Sequence, residues 1–247
     1  MVALILAAGY GTRLYPLTKE TPKALLPVGG RPILDHLIEK LEPPGLQPER
    51  FLLVSNHKYA EPFRKWAAGR RWTAPAEVLD DGSASEEDRL GSVGDLAFAI
   101  RRGSLQEKEL LVLGGDNLFR DDLVGLVRFA RQKAPGVTLG AYELPDRSAA
   151  SRYGVLTLRE EDRRLLDLEE KPAHPASGWV STAIYFFPPS AVRWVLEYVG
   201  SRRTADTLGP FVQWLITRES VFAYPLRGPW FDIGDVAAYT QAQESFA

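Results

Sequence analysis

Apolar runs alternate with helix-periodic segments along the first half of the chain. VALILAA (2–8), FLLVS (51–55), AEVLD (from 76) and LLVLGGD (110–116) read as continuous apolar runs, as parallel strands covered on both faces do. Between them, PILDHLIEKL places Leu34, Leu37, Ile38 and Leu41 on one helical face, with Pro32 suited to a first turn. A helix carrying Phe63 and Trp66 follows the second strand, and another from about Ser92 to Arg101 precedes the fourth. Strand and helix taking turns is the signature of an α/β layer structure.

From Val137 onward the texture changes. VTLGAYEL, YGVLTL, RRLLDLEE and WVSTAIYFF put strands at short spacing, with two or three helices after them. The expected fold is a Rossmann-like, doubly wound mixed sheet in three α/β/α layers, the second half built onto the first. No repeat or linker divides the chain, so residues 1–247 are expected to form a single catalytic domain. DDGSASEEDR (80–89) is the one long polar segment, a surface loop or a substrate loop.

Composition narrows the function. With 45% hydrophobic and 25% charged residues in 247, the chain can bury a sizeable core. A formal charge of -2 supplies no global field for nucleic acid or an acidic membrane, so any polyanion must be held by a local cluster. The absence of cysteine excludes disulfides, thiolate catalysis and Cys-ligated zinc, and with no leader-like segment the expected compartment is the cytoplasm. His36 reads as a helix residue, and His57 and His174 as surface loop or turn positions.

In an open α/β sheet, ligands bind beyond the carboxyl ends of the strands, and the first strand runs out at Ala7-Ala8-Gly9. Gly9 and Gly11 remove side chains where backbone N–H groups can approach an anion, and Thr12 adds a hydroxyl. No lysine follows as in a Walker loop, and Leu14 stands where a dinucleotide fingerprint needs its third glycine. What remains is a glycine turn with Arg13 and Lys23, cations suited to polyphosphate. Taken alone, a tight turn with two solvated cations explains a lone GxG better. Asp116 ends a buried run, where either a ligand or a turn residue fits, and Asp232 reads equally as a ligand or a helix cap.

The longer pattern G-x-G-T-R-L-x-P-L-T, then P-K-x-L-L-P and R-P-I, resembles the signature of the sugar-1-phosphate nucleotidyltransferases, the nucleoside-diphosphate-sugar pyrophosphorylases, with a glucose-1-phosphate thymidylyltransferase-like branch among them. LLVLGGDNLF, LEEKP (168–172) and WFDIGDVAAY resemble the family's later motifs, in order. The resemblance implies a nucleotide held by Leu6, Ala8, Gly9, Gly11, Thr12, Arg13, Lys23 and Gly91. It implies Mg2+ on Asp116 and Asp232, and a sugar phosphate held by Tyr153, Gly154, Glu170, Lys171 and Thr182. Arg13, Lys23, Asp116 and Asp232 would then be the catalytic set, with an NTP and a sugar 1-phosphate as substrates and a homo-oligomer left open. The left-handed β-helix domain of some relatives is not expected after the WFDIGD helix.

Departures from the family pattern leave the base and the acceptor open. Gly91 matches a position against the base and Ser92 replaces a threonine, but Asp88, Arg89 and Asp95 have no counterpart, and Ala183 stands where glycine is usual. GGDNLF leans towards the thymidylyl branch, LAAGYGTR towards the uridylyl and guanylyl branches. A cytidylyltransferase for a non-sugar phosphomonoester such as phosphocholine stays open, with Trp179, Tyr185 and Trp230 available for an aromatic cage. So does a catalytically silent nucleotide-sugar-binding subunit.

Overall fold

The computed structural model describes residues 1–201 and 206–246. In chain order, β1 (Val2–Leu6) is followed by the short pair β2 (Pro27–Val28) and β3 (Arg31–Pro32), then α1 (Ile33–Glu39), β4 (Arg50–Ser55), α2 (His57–Ala68), β5 (Ala76–Asp80) and α3 (Gly91–Gly103). β6 (Leu110–Gly114), β7 (Asn117–Phe119), α4 (Val124–Lys133) and β8 (Val137–Glu143) come next, then β9 (Gly154–Leu158), β10 (Leu165–Glu170) and β11 (Trp179–Phe187). α5 (Pro189–Gly200), α6 (Leu208–Leu215), β12 (Val221–Pro225), β13 (Trp230–Asp232) and α7 (Val236–Ser245) complete the described chain.

Nine strands form one mixed sheet whose main path runs β10-β9-β11-β6-β1-β4-β5, with β8 and β12 branching from β11. β1 is central because it pairs in parallel with both β4 and β6, and its residues alternate between layers. Val2 and Leu4 pack with α3, α5 and α6 on one face. Ala3 and Ile5 pack with α1, α2 and α4 on the other. Burying Leu4 and Ile5 fully stabilises by roughly 1.5–3 kcal/mol each. The three-layer reading is thus met, and the parallel half is β5-β4-β1-β6 as expected. β5 differs from the other three: it is the sheet edge, and Glu77 within it is exposed, because one flank has no neighbouring strand. His57 is an exposed first residue of α2, not a loop residue.

The second half is mixed because β11 reverses direction. Its Ile184–Phe187 segment runs antiparallel to β6, and it pairs antiparallel with β8 at Trp179–Ser181 and again at Tyr185 and Phe186. The register shifts between Ser181 and Tyr185, with Ala183 at φ +55°. A bulge of this kind bends the strand and re-aims its side chains. Here it sits at the mouth of the parallel strands, where the ligand site lies.

A third, smaller core joins Leu14, Leu26, Val28, Ile33, Leu118, Ile233 and Ala242. These residues come from both ends of the sequence, so their burial clamps the glycine turn, β7, β13 and α7 together. The start of α7 is fixed by Asp235, whose Oδ1 accepts from the Ala238 N–H at 2.9 Å. Caps of this type contribute on the order of 1 kcal/mol.

Candidate active site

Past the end of β1, Ala7 N–H donates to the Val54 carbonyl and Gly115 N–H to the Leu6 carbonyl, which holds the strand rim together. Nothing lies within 4 Å of where a Cβ on Gly9 would stand, so the backbone there is open to the cavity. Gly11 takes φ +64°, a left-handed conformation that favours glycine, and starts the short 3-10 turn Thr12–Leu14. Thr18 Oγ1 donates to the Gly11 carbonyl at 2.7 Å and fixes that turn. The turn sends Arg13 outward: a methyl built on Gly234 would stand 3.7 and 3.8 Å from its guanidinium nitrogens and 3.8 Å from Asp232 Oδ2. Arg13 is exposed, but it faces Asp232 across Gly234.

Lys23 and Asp116 meet across the cavity. Lys23 Nζ donates to Asp116 Oδ2 at 2.6 Å, and Asp116 Oδ1 accepts from Asn117 Nδ2 at 3.1 Å. Asn117 is buried and its Oδ1 accepts from Trp230 Nε1 at 2.7 Å. Gly114 makes this corner possible, since a Cβ there would be 2.8 Å from Asn117 Nδ2 and 2.9 Å from Asp116 Oδ1.

Asp232 is brought beside Asp116 by backbone pairing. β13 runs antiparallel to β7 with Asp232 opposite Asn117, and Ile233 N–H donates to the Asp116 carbonyl at 3.0 Å. The two carboxylates therefore share one recess and repel. Burial, then the Asp116 charge, pushes Asp232 up to about 6, against the pull of Lys23 and Arg13. Burial also works to raise Asp116, but the adjacent Lys23 ammonium outweighs it and holds that carboxyl below its ordinary value.

These groups line a cavity of about 240 Å3. Leu6, Ala8, Gly9, Lys23, Asp116, Asp232 and Thr182 line it; Gly11, Thr12, Arg13 and Gly91 do not. Gly91 is a buried left-handed residue, φ +76°, that begins α3, and its neighbour Ser92 takes the cavity position. Thr182 is buried with its hydroxyl already donating to the Gly140 carbonyl at 2.9 Å. Tyr153, Gly154, Glu170 and Lys171 lie outside the cavity wall, on and beside β9 and β10. The Tyr153 ring packs on Trp230 at 5.3 Å, and Lys171 holds φ +49° with its N–H on the Tyr153 carbonyl.

Several lining residues lay outside the site read from the sequence. Asn117 was hidden inside a motif read for its aspartate, Trp230 was named only for an aromatic cage, Leu208 carried no signal, and Asp95 was visible only as a carboxylate between Val93 and Leu96 on an apolar helix.

Two carboxylates and two cations thus meet at the mouth of a parallel sheet. The chain belongs to the nucleotidyl transferase family, which it matches over residues 2–247. It is 30% identical to a UTP–glucose-1-phosphate uridylyltransferase from Synechocystis, over 98% of this chain and 62% of the relative. It is 32% identical to a mannose-1-phosphate guanylyltransferase catalytic subunit beta from Drosophila pseudoobscura, over 94% of this chain and 58% of the relative. The chain thus spans about three fifths of the length of these relatives. Its fold matches a Bacillus anthracis crystal structure with sucrose, described as a candidate glucose-1-phosphate thymidylyltransferase, at TM-score 0.85 and 24% identity, covering 100% of this chain and 95% of that one. Among the described residues no helix is long and apolar enough to cross a membrane.

Proposed function

We propose that this chain transfers a nucleotidyl group from an NTP to a sugar 1-phosphate, a hexose 1-phosphate by preference, releasing pyrophosphate and depending on Mg2+. The observation that carries this reading is Asp232 held beside Asp116 by the β7–β13 ladder, with Lys23 bound to Asp116 and Arg13 beside Asp232. Among the described residues no group of three or more potential metal ligands occurs, so a closed structural-metal cage is not on offer. Two carboxylates in an open recess fit Mg2+, which takes few protein ligands and completes its shell with water and phosphate oxygens. The raised Asp232 fits too, because a carboxylate pair with only one full counter-ion at hand has room for more positive charge. Bound there, Mg2+ would supply charge neutralisation at the reacting phosphate.

The acceptor phosphate is an anion near neutral pH, so the chain needs no strong general base. Its task is to hold two polyanions in line and to balance the charge that gathers on the leaving pyrophosphate. Lys23, bound to Asp116 and lining the same cavity as Gly9, is the cation we assign to the triphosphate. Arg13 supplies a planar second cation at the rim. Lys171, exposed and held at a left-handed backbone position beside Tyr153, is the cation we assign to the acceptor phosphate.

A quaternary-ammonium acceptor finds less support. Of the three aromatics that would box it, Tyr185 is sealed in the core, Trp179 carries Arg163 over its ring at 5.1 Å, and only Trp230 reaches the cavity. The deciding experiment incubates the protein with Mg2+, each NTP or dTTP, and a panel of hexose 1-phosphates and phosphocholine, reading pyrophosphate release. Turnover with a sugar 1-phosphate is expected; release from phosphocholine alone would replace this reading with the cytidylyltransferase one.

A further inference from the structure

The cavity has two chemically different walls. Lys23, Asp116 and Asp232 make one of them ionic. A second part of the lining comes from the first turns of α3, which offer Ser92 and Asp95, and from Leu208 of α6. Asp95 is only 6% exposed, three residues from Ser92 and so on the same helical face. It is a carboxyl placed in an apolar layer, among Val93, Leu96 and Ala99, and the phosphate chemistry does not use it.

Its support comes from a second carboxyl, that of half-buried Asp81. Asp81 follows the end of β5, anchored by its N–H on the Ser55 carbonyl, and its Oδ1 accepts from the Ser83 N–H and hydroxyl, both at 2.7 Å. Asp81 Oδ2 and Asp95 Oδ1 are both buried and neither meets a donor. The two side chains bond to each other once one proton lies between them, so that two orphaned acceptors become one hydrogen bond. Burial, and then the Asp81 charge, pushes Asp95 up to about 8, so at neutral pH the proton stays. The pair therefore adds only one negative charge to the neighbourhood of a triphosphate, and the second oxygen of Asp95 is left as an acceptor.

Leu6 to Gly9 and Asp95 line the same cavity as the ionic wall, so a nucleotide whose phosphates meet Lys23 would have that backbone and Asp95 to set its nucleoside against. We propose that Asp95, braced by Asp81, reads the nucleobase, presenting an acceptor that favours a base with an exocyclic amine (guanine, cytosine or adenine) over uracil or thymine. An amine brings two N–H donors to a lone acceptor. Uracil and thymine bring one ring N–H flanked by two carbonyl oxygens, which a carboxyl oxygen repels. Leaving a buried acceptor unmatched lowers affinity by about tenfold or more. This assignment rests on the nucleotidyl-transfer reading for the placement of the phosphates.

The test is equilibrium binding of GTP, CTP, ATP, UTP and dTTP, each with Mg2+, to the wild-type chain, Asp95→Ala and Asp95→Asn, with circular dichroism as the check on folding. Binding is read without an acceptor, so the result is independent of whether any sugar phosphate turns over. The expected result is an amine-bearing base bound at least tenfold more tightly than UTP or dTTP, with that ratio lost in Asp95→Ala. Asp95→Asn should retain the ratio, because its amide donates to Asp81 and leaves its carbonyl oxygen as the acceptor. Tightest binding of UTP or dTTP by the wild type would overturn the proposal on its own, even if neither variant folds. An unchanged ratio in a folded Asp95→Ala would overturn it as well. Base-selective binding without pyrophosphate release from any acceptor would sink the transfer reading and leave this one standing.

Discussion

The molecule holds two pairs of neighbouring carboxyl groups and resolves their repulsion in opposite ways. At the rim of β6, Asp116 is held ionised by Lys23 while Asp232, beside it, is pushed up to about 6. Beneath β1, Asp81 and Asp95 have no cation and resolve the conflict with a proton. The difference lies in what each pair can recruit. A carboxylate pair with cations in an open cavity is ready for a metal and phosphates, whereas a pair with no cation beside it, one member set in an apolar layer, stays neutral in part and makes hydrogen bonds.

The largest effect should come from breaking the first pair. Asp116→Asn is expected to lower pyrophosphate release by roughly a thousandfold or more while leaving circular dichroism unchanged, as loss of a metal ligand at the reacting phosphate would. Near wild-type turnover in that variant would remove Asp116 from the metal site. Next, Lys23→Met takes away the cation that distinguishes the two pairs. Turnover should fall by about a hundredfold. In the ligand-free protein the Asp116 and Asp232 carboxyls should now share a proton at neutral pH, seen as a rise in their titration by carboxyl-selective NMR. Titration identical to wild type would show that Lys23 is not what separates the pairs.

The second pair is tested through stability. A carboxyl raised from 3.8 to about 8 in the fold is protonated when folded and ionised when unfolded across that interval. Its contribution is therefore fully present below about pH 4 and is lost as pH rises through about 8, with a slope of up to about 1.4 kcal/mol per pH unit between. Asp95→Asn removes that slope, so its unfolding free energy should exceed that of the wild type at pH 8 by more than at pH 5. Equal pH dependence in chemical denaturation would count against a proton held between the two carboxyls. The smallest expected effect is that of Thr182→Val, which deletes the hydroxyl donated to Gly140 and should cost about 1 kcal/mol of stability with little change in the KM for the acceptor. A large rise in that KM would return Thr182 to the sugar pocket.

Much of the architecture was legible beforehand because parallel strands covered on both faces leave a direct mark. The runs at Val2, Phe51 and Leu110 are long enough, and apolar enough, to be little else. The charged wall was legible from ordered motifs, and the structure brings Lys23, Asp116 and Asp232 into one cavity with Arg13 alongside. The acceptor side was less so. Thr182, which the resemblance sets against the sugar phosphate, does line the cavity, but its hydroxyl is taken by the Gly140 carbonyl beside a bulge in β11, and a bulge depends on which strands compete for pairing. Asp95 was seen as a residue without a counterpart, and only its meeting with Asp81, fourteen positions earlier and on a different element, gives it a chemical role.

The sequence alone determined what local pattern can encode: strand and helix order, the left-handed glycine turn after β1, and the kinds of side chain present at each motif. Each of these follows from a residue and its near neighbours in the chain. Tertiary structure alone decided which charges meet. The distance from Asp116 to Asp232 is fixed by the β7 and β13 ladder and by a small apolar core joining Leu14 to Ala242, contacts between residues more than a hundred positions apart. Ionisation is decided there too, because whether a buried carboxyl keeps its charge depends on the partner that folding places beside it, a lysine in one pair and a second acid in the other.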